Sequence, residues 1–158
     1  MAAEHVIGLI SDTHGMVRAS VFDALAGVEL ILHAGDVGGL GVLVELQAIA
    51  PVLAVFGNTD PPDHPQLERE RVLEVGGVSI HVSHGHEVGR PTPGRLLAAY
   101  PQDVLVYGHT HRQLVTRADG RLVVNPGAAG ARRFDLTPCV ARLTVRDGAA
   151  DVALVPIA

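Results

Sequence analysis

The chain reads as an α/β protein with a parallel βαβαβ first half and a β-rich second half. Three observations predict this. Short apolar runs alternate with helically spaced segments up to Val55, and the strand ends recur at a pace of about twenty residues. After Glu70 that spacing gives way to alternating runs joined by Gly-Gly and Asp-Gly turns. The 158 residues are 47 % apolar, which suits one domain, residues 1–158, with its own core.

Val6 to Ile10 is a short apolar run and reads as a buried strand. It ends in Ser11-Asp12-Thr13-His14-Gly15. One reading makes Asp12 or Thr13 the cap of the next helix. The other makes Asp12 and His14 metal ligands at the carboxyl end of a strand, where open α/β sheets bind their ligands. Val17 to Leu25 has helical spacing, with Gly27 as its stop. Val28 to His33 is the next strand, and His33 lies within its apolar run as a core histidine. Asp36 follows in a loop with Gly35, Gly38 and Gly39. A carboxylate placed there can serve two cations, one through each oxygen. Gly41 to Ile49 is helical and ends at Pro51.

Val52 to Phe56 is the third strand, followed by Gly57-Asn58-Thr59-Asp60-Pro61-Pro62. Taken alone that sequence is a turn. Asn58 is nevertheless the third ligand-type residue to follow a strand. Asp63 to Glu70 is polar and reads as a surface connection. Arg71 to Val75 and Val78 to Val82 flank Gly76-Gly77 as a hairpin. His81 falls on its polar face as a solvated histidine. His84-Gly85-His86 closes the second strand. Thr92 to Ala99 reads as a helix with Thr92 as N-cap, Pro93 at its first position and Leu96 and Leu97 inward.

Val104 to Val106 leads into Tyr107-Gly108-His109-Thr110-His111, where Gly108 gives the backbone room to turn. Gln113 to Arg117 and Arg121 to Val124 flank Ala118-Asp119-Gly120, a second hairpin signal. Asn125 to Gly130 is a small-residue loop followed by Arg132 and Arg133, which are either substrate contacts or a solvated pair. Cys139 to Val145 and Val152 to Ile157 are the last strands, joined through Asp147-Gly148. Cys139 is the only cysteine and reads as a small core residue.

The formal net charge of −5 disfavours long polynucleotides as partners without excluding them. No basic segment precedes an apolar one at the start, and no apolar run is long enough to span a membrane. A cytoplasmic protein without a membrane partner is expected. Exposed edge strands offer a route to a homo-oligomer.

The candidate ligands are Asp12, His14, Asp36, Asn58, His84, His109 and His111: two carboxylates, one amide and four imidazoles. That set is too large for one small cation and suits two that share Asp36. Two metals roughly 3.5–4 Å apart are a recurring hydrolytic device. Mixed nitrogen and oxygen donors favour Mn, Fe, Zn, Co or Ni over Ca or Mg.

In this order, Asp12-x-His14, Gly35-Asp36, Gly57-Asn58, His84-Gly85-His86 and Gly108-His109-x-His111 resemble the calcineurin-like metallophosphoesterase superfamily over nearly the whole chain. Ser-Asp-Thr-His-Gly, Gly-Asn-Thr-Asp, Gly-His-Thr-His and Asn-Pro-Gly resemble its small phosphodiesterases of the YfcE type. The resemblance implies a four-layer α/β/β/α sandwich of two mixed sheets flanked by helices. It implies two divalent transition-metal ions, with Mn first and Ni, Fe, Zn or Co as alternatives. Asp12, His14 and His111 would hold one ion, Asn58, His84 and His109 the other, and Asp36 would bridge. The implied activity is hydrolysis of a small phosphate ester, foremost a diester, by attack of a metal-bridging hydroxide. Asn58 would stabilise developing charge, and either His86 or water would protonate the leaving group. Many members of the superfamily carry His directly after Gly-Asn, where this chain has Thr59. Two alternatives stand beside this reading. One is a protein-binding scaffold like the retromer subunit of this fold. The other is a phosphomonoesterase or nuclease using the same site.

Overall fold

The computed structural model describes residues 3–131 and 136–157, so Arg132 and Arg133 lie outside the described residues. Its elements are β1 (Glu4–Ile10), α1 (Ala19–Ala24), β2 (Leu30–His33), α2 (Leu40–Gln47), β3 (Val52–Val55), β4 (Leu67–Glu68), β5 (Glu70–Val75), β6 (Val78–Ser83), α3 (Pro93–Ala99), β7 (Val104–Val106), β8 (Leu114–Ala118), β9 (Arg121–Asn125), β10 (Cys139–Arg146) and β11 (Ala149–Pro156). A single 3₁₀ turn, His86–Val88, lies between β6 and α3.

The strands form two mixed sheets, in the orders β11-β10-β1-β2-β3-β4 and β5-β6-β7-β9-β8. Strands β1 to β4 run parallel, as the βαβαβ pattern predicts. In the second sheet β6, β7 and β9 are parallel, with β5 and β8 antiparallel at the edges.

Side-chain alternation explains the layering. Ile7 and Leu9 of β1, Val104 and Val106 of β7 and Leu122 and Val124 of β9 meet in one cluster between the sheets. Ile10 and Ile31 face the other way and pack with Val21 and Leu25 of the α1 segment and Val42, Leu43 and Leu46 of α2. Leu105 and Val123 turn outward against Leu96 of α3. Period-two strands buried on both faces therefore give helix, sheet, sheet, helix. The four-layer sandwich expected from the resemblance is the fold observed.

Three local expectations need correction. Neither Asp12 nor Thr13 caps α1, whose N-cap is Arg18 without a side-chain cap bond. Instead, the Thr13 hydroxyl donates to Val37 O at 2.7 Å. The polar stretch after Asp63 contains β4, because Leu67 is buried and pairs with Ala54 at the sheet edge. His81 is not solvated: it is 1 % exposed. Its Nε2 donates to Glu70 Oε2 at 2.6 Å, and its ring stacks on Tyr100. Thr92 does cap α3, its hydroxyl accepting from Arg95 N. His33 and Cys139 are fully buried, as expected of core residues.

Candidate metal centre

The carboxyl ends of β1, β2, β3, β6 and β7 deliver the seven candidates to one place. Backbone bonds stitch the loops together: Asp12 N donates to Gly35 O, His14 N to Asp36 O and Gly108 N to His84 O. Asp12, His14, Asp36, His109 and His111 all have positive φ, between 48° and 72°. Such left-handed backbone costs a side-chain-bearing residue about 1 kcal/mol or more. It bends the chain out of the extended course of the preceding strand at each of these positions.

Two glycines are demanded by close approach. A Cβ on Gly57 would collide with the Asp36 carboxylate, and one on Gly108 with the Ser11 hydroxyl. Gly108 thus admits Ser11 and Asp12 beside the loop, and its φ is not positive. The expected reason for that glycine, room to turn, is replaced by room for a neighbour.

The donors fall into two groups. Asp12 Oδ1 lies 3.3 Å from His111 Nε2 and 3.9 Å from His14 Nε2. Asn58 Oδ1 lies 3.0 Å from both His84 Nε2 and His109 Nδ1, which are 3.3 Å from each other. Asp36 Oδ2 stands between the groups, 3.3 Å from His84 Nε2 and 3.7 Å from His14 Nε2. Its Oδ1 accepts the Thr59 N–H at 3.0 Å. The carboxylate therefore presents one oxygen to both groups, not one to each.

His84 shows what the site attracts. Its Nδ1 lies 2.8 Å from Ala34 O, so Nδ1 carries the proton and donates. Its bare Nε2 then faces Asn58 Oδ1, Asp36 Oδ2 and His109 Nδ1. Lone pairs converge there unless a positive charge intervenes. The His84 pKa is accordingly raised: burial opposes the charge, but Asp36 and Asp12 outweigh burial. Burial would raise the Asp12 and Asp36 carboxyls as well, yet His111 and His84, with Ser11 and Thr59, hold both below the ordinary value. Asp12 Oδ1 and His14 Nε2 are buried without hydrogen-bond partners among the described residues. Donors sharing one cation at about 2.1 Å sit about 3.0–3.4 Å apart, and the spacings around Asn58 and His84 fall in that range. Asp12, His14 and His111, and likewise Asp12, Asp36 and His84, each bring three donor atoms within 4.8 Å of one another, close enough to hold a cation.

His86 stands at the rim, its ring 5.3 Å from His84 and 6.3 Å from His109. Burial and the neighbouring His84 lower its pKa.

Several supporting residues escaped the sequence reading. The Asp60 carboxylate, dismissed as part of a turn, accepts from Val37 N, Gly38 N and Gly57 N. It ties the loop after β2 to the loop after β3. Asn125 donates to Gly108 O and Thr110 Oγ1 and accepts from Gly127 N, holding the His109–His111 loop. His33 Nδ1 accepts the Gly35 N–H at 3.1 Å, so its Nε2 donates to Thr13 Oγ1 at 2.9 Å.

The sequence pattern of the calcineurin-like phosphoesterase superfamily domain matches residues 6–148. The chain belongs to that superfamily. Within it the chain falls in the small YfcE-like branch. A probable metallophosphoesterase of Methanothermobacter thermautotrophicus is 37 % identical over 147 residues, covering 88 % of this chain and 80 % of the relative. A phosphodiesterase of Methanocaldococcus jannaschii is 28 % identical over 139 residues, covering 77 % of this chain and 82 % of the relative. Among solved structures, Vps29 of Entamoeba histolytica complexed with Zn²⁺ matches with a TM-score of 0.77 at 23 % identity, covering 96 % of this chain and 98 % of that one. That last likeness concerns the fold. Among the described residues no helix is long and apolar enough to cross a membrane.

Proposed function

We propose that this chain hydrolyses a small phosphate diester with two divalent transition-metal ions, manganese foremost. The observation that carries the reading is the convergence of bare donor atoms around Asp36 Oδ2, flanked by His84 on one side and His14 on the other. Asp12, His14 and His111 would hold one ion and Asn58, His84 and His109 the other, with Asp36 common to both. Bound there, the ions would lower the pKa of water to give hydroxide near neutral pH and would neutralise the ester's charge.

The remaining roles fall to the chain. With Asn58 Oδ1 directed into the donor group, its NH₂ is free to donate to a phosphate oxygen. His86 is held neutral near pH 7 by its lowered pKa, and bound cations would push it further the same way. Its part is therefore to donate an N–H hydrogen bond rather than a proton. Thr59 offers no titratable group where many relatives have His, so the leaving alkoxide takes its proton from water. Cys139, the single thiol, is buried and its pKa is raised by burial, which removes it as a nucleophile. A diester is favoured because a relative carries the name phosphodiesterase.

The test is turnover of bis(4-nitrophenyl) phosphate beside 4-nitrophenyl phosphate, on chelated protein resupplied with Mn²⁺, Ni²⁺, Zn²⁺ or Mg²⁺. Metal-dependent turnover favouring the diester is expected. Preference for the monoester would change the substrate class and keep the site. Folded protein that binds two ions and turns over neither ester would overturn the enzymatic reading in favour of a scaffold.

A further inference from the structure

We infer that Glu87 and Tyr100 are positioning residues: together they fix the turn that carries His86 and so set where its imidazole stands beside His84 and His109. What the placed imidazole does in hydrolysis rests on the function proposed above.

The His86 ring is not held by its own polar atoms. Its Nδ1 is buried without a hydrogen-bond partner among the described residues, and Glu87 Oε1 is too far from it, at 4.0 Å. Its placement therefore comes from the backbone. That backbone turns at Gly85, with φ of 102°, and a Cβ there would press to 3.0 Å from Pro91. Glu87 Oε1 accepts the Gly85 N–H at 2.9 Å and closes the turn. Glu87 Oε2 accepts the Tyr100 hydroxyl at 2.8 Å.

The Glu87 side chain is 8 % exposed, which is unusual for a carboxylate without a metal or an arginine. Burial would raise its pKa, but the neighbouring Ser83 and Tyr100 hydroxyls and the Gly85 N–H lower it. Tyr100 is itself anchored. Its N–H donates to Leu96 O at the end of α3. Its ring stacks on His81 at 3.7 Å, and His81 is tied to Glu70 of β5. The turn is thereby braced against the second sheet and the end of α3.

The test uses the full chain with Glu87→Ala, Tyr100→Phe, His86→Ala and the double variant Glu87→Ala/His86→Ala. Tyr100→Phe removes only the hydroxyl and keeps the ring on His81, so it serves even where Glu87→Ala folds poorly. In metal-free protein, the His86 ring signals in NMR should shift in both Glu87→Ala and Tyr100→Phe, while those of His5, which pairs with Glu29, stay put. Mn²⁺ stoichiometry by calorimetry should be unchanged. Loss of turnover on bis(4-nitrophenyl) phosphate should reach ~10²-fold in Glu87→Ala, the scale of an ångström misplacement. The double variant should be no slower than His86→Ala. Unmoved His86 signals, or losses that multiply in the double variant, would overturn the inference. If the signals move while His86→Ala keeps full activity, the positioning stands and the hydrolytic role of His86 falls.

Discussion

Asp36 Oδ2 lies 3.3 Å from His84 Nε2 while its other oxygen is fastened to the Thr59 N–H. Replacing Asp36 with Asn keeps the shape and removes the shared negative oxygen. Asp36→Asn should lose bound metal and on the order of 10²-fold in turnover. Elemental analysis with parallel kinetics checks this. Full metal content together with full turnover would disprove the sharing of Asp36.

Removing the ions should weaken the fold. Asp12 Oδ1 and His14 Nε2 are buried and unpartnered among the described residues, and a ligand that binds only the folded chain stabilises it by about 2.7 kcal/mol at a hundred times its Kd. A chelator should lower Tm, and added Mn²⁺ should restore it in proportion to the logarithm of its concentration. A Tm indifferent to both would count against the centre.

His33 sets a pH dependence. Burial pushes its pKa down to about 4 from about 6.5, and the Gly35 N–H aimed at Nδ1 leaves no place for a second proton. The unfolded chain takes up that proton first as the pH falls. The contribution is complete above about 6.5 and is lost towards 4, reaching about 3 kcal/mol. His86 and His109 shift in the same direction, and His84 in the opposite one. Urea unfolding of chelated protein between pH 7.5 and 4.5 should show the loss, and His33→Gln should flatten it. Identical slopes in the two proteins would refute the assignment.

Asn125→Ala should cost about 2 kcal/mol, because Gly108 O and Gly127 N each lose a buried partner. Since the same side chain holds Thr110, turnover should fall with stability. Denaturant midpoints and kinetics together test this. A variant as stable and active as the parent would show that the loop holds itself.

Much of the architecture was legible because β1, β2, β3, β6 and β7 are short apolar runs that a ligand-type residue soon follows. The seven candidates converge since the parallel strands that carry them end on one side of both sheets. The misreadings have physical causes. His81 obeys strand alternation, but alternation alone does not reveal that Tyr100 covers that face. Two residues pairing at a sheet edge, as in β4, leave no periodic trace. Asp60 looks like turn chemistry locally, and only the folded chain brings Val37 and Gly38 to its carboxylate. Asp12 and Thr13 resemble helix caps, yet the chain continues to Arg18 before α1 begins.

The left-handed backbone at Asp12, His14, Asp36, His109 and His111 has an evolutionary consequence. Glycine occupies that conformation without steric penalty. Selection for backbone comfort alone would therefore favour glycine at these five positions, at the loss of five of the seven candidate donors. Aspartate and histidine at those positions place donor atoms that backbone stability alone does not call for.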